Sequence, residues 1–125
     1  MTADGTFQAR TSYSTGTTPY SVVLGDVNGD GKLDIVSADS NADKTSIFLG
    51  NGNGTFQART SDSTGSSPNS ASLGDVNGDG KLDIVTADAL ANKTSVFLNN
   101  GNGTFQARTS YSSGTGPVSI ALGDV

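Results

Sequence analysis

Asp26-Val27-Asn28-Gly29-Asp30-Gly31-Lys32-Leu33-Asp34 recurs unchanged as Asp75-Val76-Asn77-Gly78-Asp79-Gly80-Lys81-Leu82-Asp83. Each copy is preceded by Leu-Gly and followed by Ile-Val. In each, oxygen-bearing side chains stand at positions 1, 3, 5 and 9, and Gly at position 6 permits a sharp turn. Alternate residues of a tight loop can aim their oxygens at one point. Three Asp in nine positions repel one another unless a cation lies between them. A hard divalent ion that takes six to eight oxygens, Ca²⁺, suits the pattern. Position 7 would add a main-chain carbonyl from Lys32 or Lys81, with the ammonium group left in water, and Leu33 and Leu82 would anchor the loops in the core. The competing reading is an Asp/Asn/Gly-rich turn that binds nothing; two identical copies in otherwise diverged surroundings argue against it. An EF-hand needs Glu at position 12 and flanking helices. Position 12 is Ser37 or Thr86, and the flanks read as strands.

Outward from the loops the whole chain repeats. Phe7, Phe56 and Phe105 stand 49 residues apart, each within Gly-Thr-Phe-Gln-Ala-Arg, and Asp26, Asp75 and Asp124 keep the same interval. One repeat reads as four strands, residues 21–26, 34–38, 45–49 and 55–60, with the first three apolar enough to be covered on both faces and the fourth alternating like an edge. Gly50-Asn51-Gly52-Asn53-Gly54 reads as the turn between the last two strands, and Ser63–Pro68 as the link to the next repeat. No stretch has helical periodicity.

Four short antiparallel strands per unit predict an all-β chain of tandem propeller blades. Residues 1–18 are then a partial blade carrying an outer strand, 19–67 and 68–116 are complete blades with one loop each, and 117–125 are a partial blade carrying a first strand. A closed ring needs roughly four to eight blades. The chain is therefore expected either to self-associate head-to-tail, as a homo-oligomeric ring of about three chains or as a filament, or to be a piece of a longer array.

Composition agrees with thin, turn-rich structure: hydrophobic residues are 33% of the chain and Gly alone supplies 17 positions. All twelve acidic residues are Asp, and six of them lie in the two loops, so the net charge of −5 is concentrated where a cation would sit. With neither Cys nor His, the chain has no thiol chemistry, no disulfide, no Cys/His zinc site and no His-based triad. The clustered Asp residues are committed to metal, and an enzyme is not expected. Few basic residues and no basic stripe argue against nucleic acid as a partner. No apolar run reaches membrane-spanning length, and Met1-Thr2-Ala3 does not open a secretion signal.

The run Val22-Val23-Leu24-Gly25-Asp26 through Asp34-Ile35-Val36-Ser37-Ala38-Asp39, followed by Ser46-Ile47-Phe48-Leu49 and Gly50 to Arg59, resembles the FG-GAP/VCBS repeat of integrin-like β-propellers. The resemblance extends over essentially all of the chain. It implies that the loop joining the first and second strands of a blade holds Ca²⁺. The implied ligands are Asp26, Asn28, Asp30, Lys32 (main chain) and Asp34, then Asp75, Asn77, Asp79, Lys81 (main chain) and Asp83. A third loop begins at Asp124-Val125 without its remaining ligands. The family is mostly extracellular or cell-surface, used for adhesion, scaffolding or carbohydrate binding. The resemblance therefore implies an extracellular structural or adhesion module, with glycans or cell-surface proteins as further partners, and a carbohydrate-binding propeller as the alternative. Tyr13, Tyr20 and Tyr111 could line a sugar groove or simply pack, but Asp62 replaces the Tyr13/Tyr111 type in the middle repeat, which weakens a repeated sugar site. Asn53, Asn92 and Asn102 stand in N-glycosylation sequons. Arg10, Arg59 and Arg108 recur at one blade position, as expected of a side chain that pairs with a neighbouring blade.

Overall fold

The computed structural model describes residues 4–123. Two four-stranded antiparallel sheets follow one another along the chain. The first is β1 (Pro19–Gly25), β2 (Asp34–Asp39), β3 (Lys44–Phe48) and β4 (Thr60–Ser63), paired in chain order. The second is β5 (Pro68–Gly74), β6 (Asp83–Asp88), β7 (Lys93–Phe97) and β8 (Thr109–Ser112), paired in the same way. The sole helical element among the described residues is a 3-10 turn, Ser40–Ala42, closed by Asp43 in the left-handed region.

The first three strands of each sheet lie within two residues of their expected bounds. The fourth does not. Of the expected 55–60 strand only the isolated bridge Phe56–Gly50 and the last residue, Thr60 opposite Ile47, pair, and the regular ladder begins at Thr60. Between these pairs two residues, Phe48 and Leu49, face three, Gln57 to Arg59, a bulge-like offset. The Gly50–Gly54 turn is held shut by Asn51 N–H on the Thr55 carbonyl at 2.9 Å and Gln57 N–H on the Leu49 carbonyl at 2.8 Å. The alternating Thr-Phe-Gln-Ala-Arg-Thr pattern therefore marks an arm that turns away from β3 rather than a continuous edge strand. The segment 6–12, read as a lone fourth strand, likewise forms no strand, and 117–123 runs irregularly where a first strand was expected. The third loop, Asp124-Val125, lies outside the described residues.

The core is shared between the sheets. Val27, Val36 and Ile47 of the first meet Ile84 and Phe97 of the second, with Val23, Leu49, Leu73, Leu82 and Phe105 packed around them. Burying each large side chain in this cluster contributes on the order of 1.5–3 kcal/mol. β2 and β6 are covered on both faces, as their short apolar runs, interrupted only by Ser37 and Thr86, predict. β1 is not: its inward positions Ser21, Val23 and Gly25 face the second sheet, while Tyr20, Val22 and Leu24 point into solvent. Close approach at the joint requires a glycine. A Cβ on Gly25 would fall 2.7 Å from a Leu73 methyl.

Candidate metal centre

Both Asp-rich loops connect the first and second strands of a sheet, β1 to β2 and β5 to β6. Each closes around its first Asp. Asp26 accepts the Gly29 and Asp30 N–H groups on Oδ1, at 2.7 and 3.1 Å, and the Gly31 N–H on Oδ2 at 2.7 Å. Asp75 repeats this with Gly78, Asp79 and Gly80 at 2.7, 3.1 and 2.8 Å. The Gly31 and Gly80 amides are the main reason these two carboxyls sit below the usual Asp range, helped by the other loop amides and partly opposed by desolvation. Gly29, Gly31, Gly78 and Gly80 all have φ between 78° and 84°, which side chains with a Cβ rarely adopt.

The other ligand candidates are held by the same turn. Asn28 Oδ1 accepts the Asp30 N–H at 3.2 Å, and Asp30 Oδ1 accepts the Lys32 N–H at 2.9 Å. Asn77, Asp79 and Lys81 do the same at 3.2 and 3.0 Å. Asp34 and Asp83, the last in each loop, open β2 and β6 and are fully buried. Asp34 accepts the Val27 and Gly50 N–H groups at 2.8 and 2.7 Å, and Asp83 those of Val76 and Asn99 at 2.9 and 2.8 Å. The nearest cations are weakly engaged: Lys81 Nζ lies 3.7 Å from Asp79 and Lys32 Nζ 4.0 Å from Asp30. Both lysine stems lie along a glycine of the following turn, Gly52 or Gly101, and leave the ammonium exposed.

In the second loop the carboxylate oxygens of Asp75, Asp79 and Asp83 all lie within 4.8 Å of one another, the one such acidic trio among the described residues. Two oxygens on opposite sides of a single Ca²⁺ are about 5 Å apart, so this spread fits one shared ion. Asp75 Oδ2, Asp79 Oδ1 and both Asp83 oxygens accept one backbone amide each and keep a second lone pair for a cation, whereas Asp75 Oδ1 already accepts two. The donor set, all hard oxygen, is right for Ca²⁺ and wrong for thiophilic metals. The expected anchoring role of position 8 holds for Leu82, which packs on the core, but not for Leu33, which is 61% exposed. Leu82 has a neighbouring sheet to bury against; Leu33 faces the side where the described chain supplies none.

A family model for the FG-GAP-like repeat matches residues 1–37, 26–86 and 75–125 in overlapping copies. The chain belongs to the FG-GAP-like repeat family. No curated protein matches it. In this FG-GAP-like chain a second set of carboxyls, unremarked in the sequence reading, does structural work beside the loops. Asp39 and Asp88 end β2 and β6 and are completely buried. Asp88 accepts the Thr86 hydroxyl at 2.8 Å, the Ser95 hydroxyl at 2.5 Å and the Gly65 N–H at 3.0 Å. Asp39 accepts the Ser37 and Ser46 hydroxyls and the Gly16 N–H. Each ties the link entering a sheet to that sheet's two middle strands. The readable signal was the Ala-Asp pair that closes both copies of the second strand, with Ser or Thr immediately before it. No described helix is long and apolar enough to cross a membrane.

Proposed function

We propose that this chain is a Ca²⁺-binding, non-enzymatic structural module of a β-propeller, working outside the cell or at its surface in adhesion or scaffolding. The observation that carries the metal reading is the convergence of Asp75, Asp79 and Asp83. The ligands would be Asp75, Asn77, Asp79, the Lys81 carbonyl and Asp83, with Asp26, Asn28, Asp30, the Lys32 carbonyl and Asp34 as the equivalent set. The ion would supply charge neutralisation at a turn that otherwise gathers like charges.

Blade-on-blade assembly is supported by a repeated joint. Leu73 covers Gly25, and Leu122 covers Gly74 in the same way, 2.7 and 2.8 Å from the position of a Cβ. Leu122 thus treats the second sheet as Leu73 treats the first. On the opposite side Val22, Leu24 and Leu33 are exposed, while their counterparts one repeat later, Ala71, Leu73 and Leu82, are packed in the joint. The two faces are unlike and complementary, so further repeats would add head-to-tail, closing a ring or extending a filament.

Thermal melting with Ca²⁺ and with a chelator tests the metal reading. Ca²⁺ at a hundredfold excess over Kd stabilises the fold by about 2.7 kcal/mol per site, and Asp79→Ala should remove one site's share. An unchanged midpoint on chelation would sink the reading. Light scattering in Ca²⁺ tests assembly: a particle larger than one chain is expected, and a monodisperse single-chain mass with full β-signal overturns it.

A further inference from the structure

The two aromatic joints of the molecule differ by one residue. In the first, Tyr13 inserts its ring against Phe48 and Phe56, edge-on, with ring centroids 6.2 and 5.4 Å apart. Its hydroxyl oxygen accepts the Phe56 N–H at 3.2 Å. One repeat later the same position is Asp62, on β4, facing Phe97 and Phe105 of the second sheet. A carboxyl cannot span the distance that a phenol ring does. A cleft of about 320 Å³ is left between Asp62, Phe97 and Phe105, with Gln106 and Arg108 at its rim. The Phe105 N–H, the counterpart of the donor that Tyr13 satisfies, finds no side-chain acceptor among the described residues.

We propose that this cleft is a binding site for a 4-hydroxyphenyl ring. Its lining includes Phe97, fully buried, and Phe105, the counterparts one repeat later of Phe48 and Phe56, which hold a phenol ring edge-on in the sister joint. The Phe105 N–H, counterpart of the Phe56 N–H that meets the Tyr13 hydroxyl, supplies the donor for the ligand's hydroxyl oxygen. Burial raises the Asp62 carboxyl above the ordinary Asp range, partly offset by Lys44. The proposal does not depend on the metal reading. The ring could arrive as a free phenol or as a tyrosine side chain of another polypeptide; the recognition chemistry is shared.

The test is an NMR titration of the full 125-residue chain with p-cresol, toluene, N-acetyl-tyrosinamide and a methyl hexoside. p-Cresol should saturably shift the Phe105 amide and the Phe97 ring at millimolar concentration, leave the Phe56 amide in place, and show ring-to-Phe97 NOEs. Toluene, lacking the acceptor, should bind about tenfold more weakly. N-acetyl-tyrosinamide binding as well as p-cresol would assign the site to tyrosine side chains; p-cresol alone would assign it to small phenols. Asp62→Tyr should fill the cleft from within and cut p-cresol binding at least tenfold. Absence of any saturable shift or NOE in the unsubstituted chain overturns the proposal, as does equal binding by folded Asp62→Tyr. Saturation by the hexoside where p-cresol fails overturns it in favour of a sugar site.

Discussion

The two Asp-rich loops have identical sequences and nearly identical internal hydrogen bonds, yet they occupy different environments. Val27 of the first loop is 1% exposed and Val76 of the second 44%. Val27 lies in the core against Ile84 and Phe97 of the second sheet, and that contact is tied by Asn99, which stands after β7 where the first repeat has Gly50 after β3. Its buried side-chain amide donates to the Val27 carbonyl at 2.8 Å and to the Leu82 carbonyl at 2.6 Å, clamping the first loop to the second sheet. Nothing in the described chain does this for the second loop. The lesson is that one nine-residue motif serves two purposes: facing a neighbour it is part of a joint, and on an open face it is a bare acidic loop.

The largest expected effect tests what the two repeats share. Asp88→Ala leaves two buried hydroxyls and the buried Gly65 N–H without their acceptor. Denaturant unfolding should show a loss of about 3 kcal/mol or more. Asp39→Ala should cost less, because its Gly16 partner lies in a half-buried segment whereas Gly65 is buried. Equal losses would show that the two clasps are energetically alike despite their settings.

A smaller effect tests what the repeats do not share. Asn99→Gly, which copies the first repeat's residue into the second, should destabilise by about 1–3 kcal/mol, since the buried Val27 carbonyl and the half-buried Leu82 carbonyl lose their donor. The reverse change should also destabilise, because a Cβ on Gly50 would lie 2.1 Å from the Leu33 carbonyl oxygen. A neutral Gly50→Asn would show that the two turns are interchangeable and break the comparison.

The smallest effect separates the loops from the Asp62 joint by pH. Asp26 and Asp75 have carboxyls lowered by loop amides, so each contributes stability above the unfolded Asp range that is lost as pH falls through its folded value. Asp62 has the opposite sign. Its raised carboxyl disfavours the folded state when ionised, a penalty present at neutral pH and relieved as pH falls towards the unfolded Asp range. Asp62→Asn should therefore be slightly more stable than the parent at pH 7, with the gap closing in acid. A gap that widens on acidification would contradict the desolvated setting of Asp62.

Much of this was legible residue by residue. Short apolar runs between turn-forming residues marked β1, β2 and β3 and their second copies; in β2 and β6 the run reflects burial on both faces, while β1 carries the same apolar residues with one face open. The Asp spacing marked both loops, because a tight turn with Gly in the left-handed region brings alternate carboxyls to one side. The fourth strand was misplaced because alternation records which residues face inward, not which backbone groups pair. Asp39 and Asp88 went unremarked because a buried carboxyl reads like any other Asp until its partners are known, and those partners come from three separate segments.

What the sequence alone determined is local: the repeat, the strand-turn-strand units, the oxygen-rich loops and the glycines they need, all set by sterics and hydrogen bonding within a few residues. Only the tertiary structure decided which copy of each local unit is buried. Val27 against Val76, Leu82 against Leu33 and Tyr13 against Asp62 occupy matched positions in chemically similar stretches, and they differ because a sheet lies against one and not the other, or because one side chain reaches across the joint and the other falls short. Burial is a property of the neighbour, and a repeat cannot encode in its own residues whether that neighbour is present.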